Sequence, residues 1–572
     1  MGARLMNLIC DQWLFAERRD DLVLRVEPCQ LSRPDLTDIV MPRADFLGAT
    51  YQFLIGLLQT ALSPEGEAEW LDLYESPPSP EKLAELFTPF AGAFNLDGTG
   101  PRFMQDRDPL DSASLSSVSS LLVDAPGANG IKNNTDFFIK RGVAERLCPD
   151  CAAIALYTIQ ASGPAGGAGF RTGMRGGGPL TTLVLPDDPD SSLWQKLWLN
   201  VVPKAQITQK GQQFTAPQAD DATVFPWMGA TPTSEKAGSA QYPEMLHPLH
   251  VYWSMPRRFR LLFEEHAAVC DICGGESETT VAEVRAKNYG INYEGPWRHP
   301  LTPYRHDPKK PDTTPWSQKG RPGGIDYRHW SAFVFDDDER VGALPAVVVR
   351  DYIGAKYPFY WEEFEDGKTD TVLSRQARLW VHGFDLDNMK ARGWTDMQMP
   401  LVAVPGDRRD VLREWVSECV DLAQATAREV SDRIRHAWFK RPKEAGGDTS
   451  HLAGAFFQAT QADFFVLIRT LRDAVDGEDA INFLPPEAAR AWYRALRRAA
   501  FRLFDEQALS GAPDLRQMER SVRERRWLSI WLAGGAKKSK KRNAVALFAE
   551  RGGFDLKARD ETRQPDEEIT NG

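Results

Sequence analysis

The sequence predicts an α+β protein: a large mixed N-terminal domain with a structural four-cysteine zinc site, followed by a C-terminal antiparallel four-helix bundle. Three observations lead there. Two Cys-x-x-Cys knuckles, Cys148/Cys151 and Cys270/Cys273, lie in the first half of the chain. Around them, short alternating runs such as LVLRVEP mix with helical patches and many Pro and Gly breaks, as in an α+β domain with long loops. From Asp410 onward the apolar residues fall at helical spacing. The expected boundaries are 1–404 for the mixed domain, 405–534 for the bundle and 535–572 for a tail.

A chain of 572 residues is too long for one compact core, and 42% hydrophobic residues is ordinary for a globular protein. The net charge of -11 argues against a surface that coats nucleic acid all over, although a local basic groove still binds phosphate. Seven cysteines in so long a chain do not make a secreted disulfide framework, which fits a reducing cytoplasm. The start, MGARLMNLICDQW, has too short an apolar stretch for a signal peptide. The most lipid-like segment, Phe46 to Leu62, is 17 residues with Gln52 and Gln59 inside it. It reads as a buried core helix, and no membrane partner is expected.

In DVLREWVSECVDLAQATAREVSDRIRHAWF, Val411, Trp415, Cys419, Leu422, Val430, Ile434 and Trp438 form one apolar stripe. Helices are also expected over 454–474, 486–509 with Pro at its start, and 514–532. Four such stripes on modest connections predict the antiparallel bundle. Beyond it, GGAKKSKKR and DETRQPDEEITNG lack a core pattern, so a mostly disordered tail with one short helix over 544–550 is expected.

Zinc takes four ligands in a tetrahedron, and two Cys-x-x-Cys turns supply them because each aims both sulfurs at one point. The 118 residues between Cys151 and Cys270 exceed any ribbon finger, so a shared ion would clamp two distant segments and leave no open coordination position. Two unrelated loops or a redox dithiol are the other readings of the spacing. A zinc-stapled HNH-like nuclease is an alternative, since WRHPLTPYRHDP follows the second knuckle. Pro300, Pro303 and Pro308 interrupt that stretch and keep His299 and His306 off a common helical face. No phosphate-gripping loop, zinc-protease His-Glu-x-x-His or nucleophile elbow occurs, so no catalytic residue is expected.

The segment SGPAGGAGFRTGMRGGGPLTTL holds eight glycines between Gly163 and Gly178, with Arg171 and Arg175 among them. Glycine lets a backbone approach a DNA groove or a phosphate with no side chain intervening, and the arginines would add charge-assisted bonds to phosphate. On its own, such a run is equally a flexible surface loop.

Taken together, LMNLICDQWLFAERRDD, NNTDFFIKRG, RLCPDCAAIALYTIQASGPAGGAGFRTGMRGGGPLTTLV, CDICGGES, EGPWRHPLTP and GFDLDNMKARGW resemble, in this order, the large subunit (CasA family) of Cascade, the type I-E CRISPR surveillance complex. The resemblance covers residues 6 to 532, with Met6 at the family's start. It implies a non-catalytic subunit that recognises the PAM in double-stranded DNA and helps open the duplex for crRNA-guided R-loop formation. It also implies recruitment of a helicase-nuclease effector, with the backbone, small and handle-binding Cascade subunits and the crRNA as partners. A structural RNA or protein scaffold that does not read the PAM is the other alternative.

The resemblance also assigns residues. A loop that contacts the PAM region and anchors the subunit matches NTDFFIKRG, which makes Phe137, Phe138, Lys140 and Arg141 candidates, since adjacent aromatics flanked by cations can stack on bases and pair with phosphates. The two phenylalanines are equally readable as core. The glycine loop that enters the PAM minor groove matches Ala165, Gly166, Gly167, Ala168 and Gly169, with alanines where the family has glycine. The family's lysine finger aligns with Asn288, beside Lys287, and either can donate to minor-groove acceptors. The strand-separating wedge matches Asp387, Asn388 and Met389 in GFDLDNMK. Gly383, Asp385, Asp387 and Asn388 read as a tight turn, and Met389 can supply an apolar insertion. In the bundle, Arg490, Arg494, Arg498 and Arg502 recur every four residues, and Arg516, Arg520 and Arg523 form a second stripe. Such stripes are ordinarily solvated faces paired with acids. In the family the bundle lies along target DNA, which makes phosphate contacts of Arg490, Arg494, Arg498, Arg502, Arg516 and Arg520, with Asp505, Glu519 and Glu524 as local quenchers.

Overall fold

The computed structural model describes residues 6–126, 131–132, 142–167, 169–236, 239–310, 312–336, 342–369, 376–387, 390–404, 406–442, 448–475, 483–510, 514–535 and 542–556. The chain forms two compact units, one of residues 1–325 and 332–403, the other of 326–331 and 404–572.

The first unit begins with a small sheet in which β1 (Leu14–Arg18) lies between β2 (Val23–Val26) and β3 (Leu36–Ile39). Helix α1 (Ala44–Leu62) follows, and it is the core helix expected from the sequence. Its interior glutamines have partners, as buried polar groups require. Gln59 donates to the Val202 carbonyl at 2.8 Å and accepts from the Val202 amide at 2.9 Å. Gln52 bonds the Tyr157 hydroxyl at 3.0 Å. Phe53 on α1 meets Trp13, Phe94, Phe103, Tyr157 and Trp253 edge-on, with centroids 5.6 to 6.0 Å apart, the geometry that aromatic quadrupoles favour.

Two further sheets carry the segments of interest. In one, β4 (Leu115–Ser117) and β6 (Arg258–Glu264) flank β7 (Thr280–Lys287). In the other, the long hairpin β8 (Gln376–Asp387) and β9 (Lys390–Val402) is extended by β5 (Thr181–Pro186) along the far edge of β8. Helix α2 (Pro149–Ser162) packs on α1, with residues 151–160 all buried.

A helix from Val347 to Asp351 passes through a π turn, Tyr352–Lys356, into a helix from Tyr357 to Glu365. The turn places the Lys356 ammonium 3.0 Å from the Asp351 carboxylate, both side chains fully buried. Lys356 also donates to the Leu199 and Val201 carbonyls at 3.0 and 2.7 Å. The pair thus stitches distant segments through a desolvated charge that depends on its partner.

The second unit contains α3 (Gly406–Trp438), α4 (Ser450–Val475), α5 (Pro486–Phe504) and α6 (Leu515–Leu532). Helix α3 packs on the other three. Directions alternate: Arg408 near the start of α3 bonds the Val475 carbonyl at the end of α4. Tyr493 early in α5 bonds the Leu532 carbonyl at the end of α6. The hexapeptide 326–331 belongs to this unit. Tyr327 stacks on Phe464 at 4.4 Å and its hydroxyl bonds Thr460 at 2.7 Å. Beyond α6, helix α7 (Ala544–Arg551) packs on α3 and α5, with Val545, Phe548 and Ala549 buried. Residues 542–556 are thus part of the unit's packing rather than a free tail, because Phe554 closes on Tyr493 and Phe548.

The core of the first unit sets two expectations. Burial lowers the pKa of His250 to about 4, that of His382 to about 3 and that of His299 well below its usual value. These imidazoles stay neutral in the fold, while the unfolded chain takes up protons near pH 6.5. Stability is full above that pH and falls toward pH 4, by about 1.4 kcal/mol per pH unit for each group. Urea unfolding is expected to show a lower midpoint at pH 5 than at pH 7. Lys356→Ala strands the Asp351 carboxylate and is expected to cost about 3–5 kcal/mol in the same assay.

Candidate metal centre and nucleic-acid interface

The four knuckle cysteines converge. Their sulfurs all lie within 4.8 Å of one another, and this is the one such cluster of three or more metal-ligating side chains among the described residues. Cys148 is the N-cap of α2 and its sulfur accepts from the Cys151 amide at 3.5 Å, which turns both thiols to one side. The second knuckle is shaped by Gly274 at φ +72° and by the Cys270 amide, which bonds the Gly275 carbonyl at 2.9 Å. Asp271 docks one knuckle on the other: its carboxylate accepts from the Glu145 and Arg146 amides at 2.7 and 2.8 Å. Four metal–sulfur bonds of ~2.3 Å in a tetrahedron separate the sulfurs by ~3.8 Å, and Cys148 Sγ lies 3.8 Å from Cys273 Sγ. The cluster therefore suits a single metal ion, with every position filled by protein.

The glycine loop leaves the other end of α2. Gly163 is the C-cap, and a Cβ there would collide with the Ile159 carbonyl and the Arg257 guanidinium. Ala165, Gly166 and Gly167 are exposed, while Gly169 is half-buried. Gly167 and Gly169 sit at φ +94° and +80°, in the left-handed region that glycine favours. Ala168 lies outside the described residues. Arg257 holds the loop from behind, donating to the Pro164 carbonyl and, at 3.3 Å, to that of Arg171. Burial lowers its pKa to about 10, which leaves it charged at neutral pH. Across the loop, the end of β7 brings Lys287 and Asn288 alongside: the Tyr289 amide donates to the Gly169 carbonyl at 2.7 Å. A Cβ on Gly169 would lie 2.9 Å from that of Asn288. The residues aligned with the glycine loop and the finger thus meet at one place. Arg257, Ser234 and Tyr289, which complete it, carry no motif that singles them out in the sequence.

The candidate wedge is framed by the β8–β9 ladder, whose last described pair is Asp387 with Lys390. Asn388 and Met389 lie outside the described residues. Gly383 and Asp385, expected in a turn, are instead within β8. Gly383 is needed there because a Cβ would lie 2.7 Å from the Pro179 carbonyl. Asp385 pairs with Arg392 on β9 at 2.7 and 3.1 Å, and Arg392 reaches Asp387 at 3.5 Å. The hairpin end is thus cross-braced by charge. Phe137, Phe138, Lys140 and Arg141 also lie outside the described residues.

The arginines sort by burial. Arg175 is corrected: it is buried, not at a phosphate-accessible surface. Its guanidinium bonds Gln52 at 2.8 Å, Thr302 at 3.0 Å and Thr181 at 3.2 Å. Arg171 is half-buried and bonds the Ser234 hydroxyl at 2.8 Å. On α5, Arg490 and Arg494 are half-buried and Arg498 and Arg502 exposed, with Arg498 3.6 Å from Asp463. On α6, Arg516 is exposed, and Arg520 bonds the Ala437 carbonyl at 3.4 Å. Asp505 is taken by Arg525 at 2.6 and 2.8 Å, and Glu524 by Arg433 and Arg523 at 3.1 and 3.2 Å. His299 and His306 are both buried, so they do not form an exposed hydrolytic pair.

The same architecture is found in CRISPR-associated proteins. Thermobifida fusca Cse1 superposes with a TM-score of 0.67 at 18% identity, over 93% of this chain and 99% of that one. CasA of Thermus thermophilus gives 0.63 at 17% identity, over 92% and 99%. A chain of a structure described as a CRISPR RNA-guided surveillance complex gives 0.62 at 14%, over 92% and 99%. The sequence profile of CRISPR-associated protein Cse1 matches residues 7–503, and the chain belongs to that family, the one its motifs resemble. Among the described residues no helix is long and apolar enough to cross a membrane.

For the metal centre, elemental analysis of the purified chain is expected to give one metal ion per chain. Cys148→Ser or Cys270→Ser is expected to abolish it and lower the Tm by roughly 5–10 °C, because a ligand lost from a closed site releases the brace.

Proposed function

We propose that the chain is the non-catalytic large subunit of a type I-E Cascade. In that role it reads the PAM in duplex DNA, helps open the duplex beside it and presents a surface to a helicase-nuclease. Family membership supports the assembly. The observation that carries PAM reading is the meeting of the exposed glycine loop with Asn288 and Lys287, fixed by the bond from the Tyr289 amide to the Gly169 carbonyl at 2.7 Å. A side-chain-free backbone beside an amide and an ammonium donor suits the minor groove, where base pairs present mainly acceptors.

In this reading the hairpin β8–β9 holds Asn388 and Met389 as the wedge. The exposed arginines of α5 and α6, read as part of an up-and-down four-helix bundle, add sequence-independent phosphate contacts. Zinc is the ion the four thiolates select, and its role is to brace rather than to react. Sequence recognition beyond the PAM belongs to guide pairing, as in other RNA-guided systems.

The test is duplex binding by guide-loaded Cascade assembled with and without this chain, on targets differing only in the flanking trinucleotide, at two salt concentrations. Affinity and flank discrimination are both expected from the chain. Salt-sensitive affinity without discrimination would instead identify a scaffold. Gly167→Ala is the informative variant, because its Cβ would meet no other protein atom within 4 Å while φ +94° is a conformation that alanine rarely adopts, so the exposed loop must change its path. It is expected to lower affinity for the correct flank about tenfold, a change of ~1.4 kcal/mol, with little change in Tm.

A further inference from the structure

Four non-glycine residues among those described have positive φ: Asp21, Met104, Leu110 and Tyr289. Aspartate tolerates the left-handed region, and Met104 and Leu110 are each 1% exposed, so core packing holds them there. Tyr289 differs. It sits at φ +63° with 39% of its surface exposed. Its backbone is fixed from three sides: its amide donates to Gly169, its carbonyl accepts from the Ser234 amide at 3.1 Å, and a Cβ on the following Gly290 would overlap the Pro256 carbonyl. The fold therefore demands this conformation, and glycine would supply it without strain. An aromatic ring at such a position needs another reason, and strained backbone of this kind concentrates at functional sites.

The ring lies against the glycine loop. A Cβ on Gly169 would be 3.0 Å from the ring and 2.9 Å from Asn288 Cβ, so Tyr289 and Asn288 together wall that end of the loop. Ser234, which bonds the Tyr289 carbonyl, also accepts from Arg171, so a cation stands in the same cluster. A rigid, partly exposed ring among backbone amides and cations has the chemistry to press on deoxyribose and base edges at a groove rim, as apolar side chains do in minor-groove binders.

We infer that Tyr289 is a further specificity-determining residue of this site: its ring props the glycine loop at Gly169 and contacts the duplex beside Asn288. The inference rests on the PAM-reading role proposed above.

The experiment uses the full chain in guide-loaded Cascade with Tyr289→Gly, Tyr289→Phe and, as a control on the role itself, Gly167→Ala. Tyr289→Gly is expected to leave the Tm unchanged or raise it, to cut flank discrimination about tenfold, and to leave the salt dependence of binding unaltered, because no phosphate contact is lost. Tyr289→Phe keeps the ring and is expected to retain discrimination within about threefold. Discrimination within twofold of the natural chain for Tyr289→Gly, or lost only with a Tm drop of several degrees, would overturn the inference. So would a phenylalanine variant as poor as the glycine one. If Gly167→Ala impairs discrimination while Tyr289→Gly does not, the inference fails and the PAM-reading role stands. If neither variant affects discrimination, that role fails with it.

Discussion

The candidate site depends on one short buried rod. Helix α2 spans 14 residues, about 21 Å at 1.5 Å per residue. Its first turn carries Cys148 and Cys151, and its last residue opens into the glycine loop. A metal ion held by the four sulfurs would pin the N-terminal end of the rod to the second knuckle, 118 residues away in sequence. The same second knuckle leads directly into β7, whose far end carries Lys287 and Asn288. Both segments of the candidate site, the glycine loop and residues 287–288, therefore lead back to one cluster of sulfurs. An ion there, with every position filled by protein, would do no chemistry of its own, but it would remove the freedom that otherwise blurs the placement of two loops against each other.

At the other end of the rod the constraint is a guanidinium. Arg257 is buried and bonds backbone carbonyls at both ends of the loop, Pro164 and Arg171, while Gln160 on α2 clasps the Arg257 backbone at 2.9 and 3.0 Å. Burying a cation without a carboxylate is costly, and carbonyl acceptors offset part of that cost. What the arrangement gains is a loop of glycines with a defined path. Glycine alone would leave the loop floppy, and the loss of backbone entropy on binding would erode affinity.

Much of this was legible in the sequence because the signals were local. The Cys-x-x-Cys spacings, the apolar run of α1 and the helical stripes from Asp410 each encode their own geometry within a few residues. Other features depend on what the chain meets in three dimensions. Arg175 looks like any loop arginine, yet its partners Gln52 and Thr302 are far away in sequence, and burial is what removes it from the surface. Gly383 and Asp385 resemble turn residues, but the strand runs on through them to Asp387, with residues 379–385 all buried. The glycine is explained by the close approach of Pro179, which no local pattern announces. Arg257 and Tyr289 were illegible for the same reason: an arginine beside a strand and a tyrosine after an asparagine acquire meaning only from the loop packed against them.

The charge distribution bears on how such a site would discriminate in the proposed role. The chain carries a net charge of -11, and several cations near the candidate site are already engaged within the protein. Arg175 and Arg257 are interior, Arg171 bonds Ser234, and Arg392 faces Asp385 and Asp387. Fewer cations are thus left to attract phosphate, Lys287 among them, and in the proposed role a modest attraction would suit a reader of a short motif. Strong phosphate contacts bind all sequences alike and raise affinity without raising the ratio between right and wrong. In the proposed role a glycine path, an amide donor and a ring would contribute little until the groove fitted them, so most of what they contributed would be discrimination. Affinity would then come from elsewhere in an assembly, through guide pairing and exposed cations such as Arg502 and Arg516, without diluting the choice made at the loop.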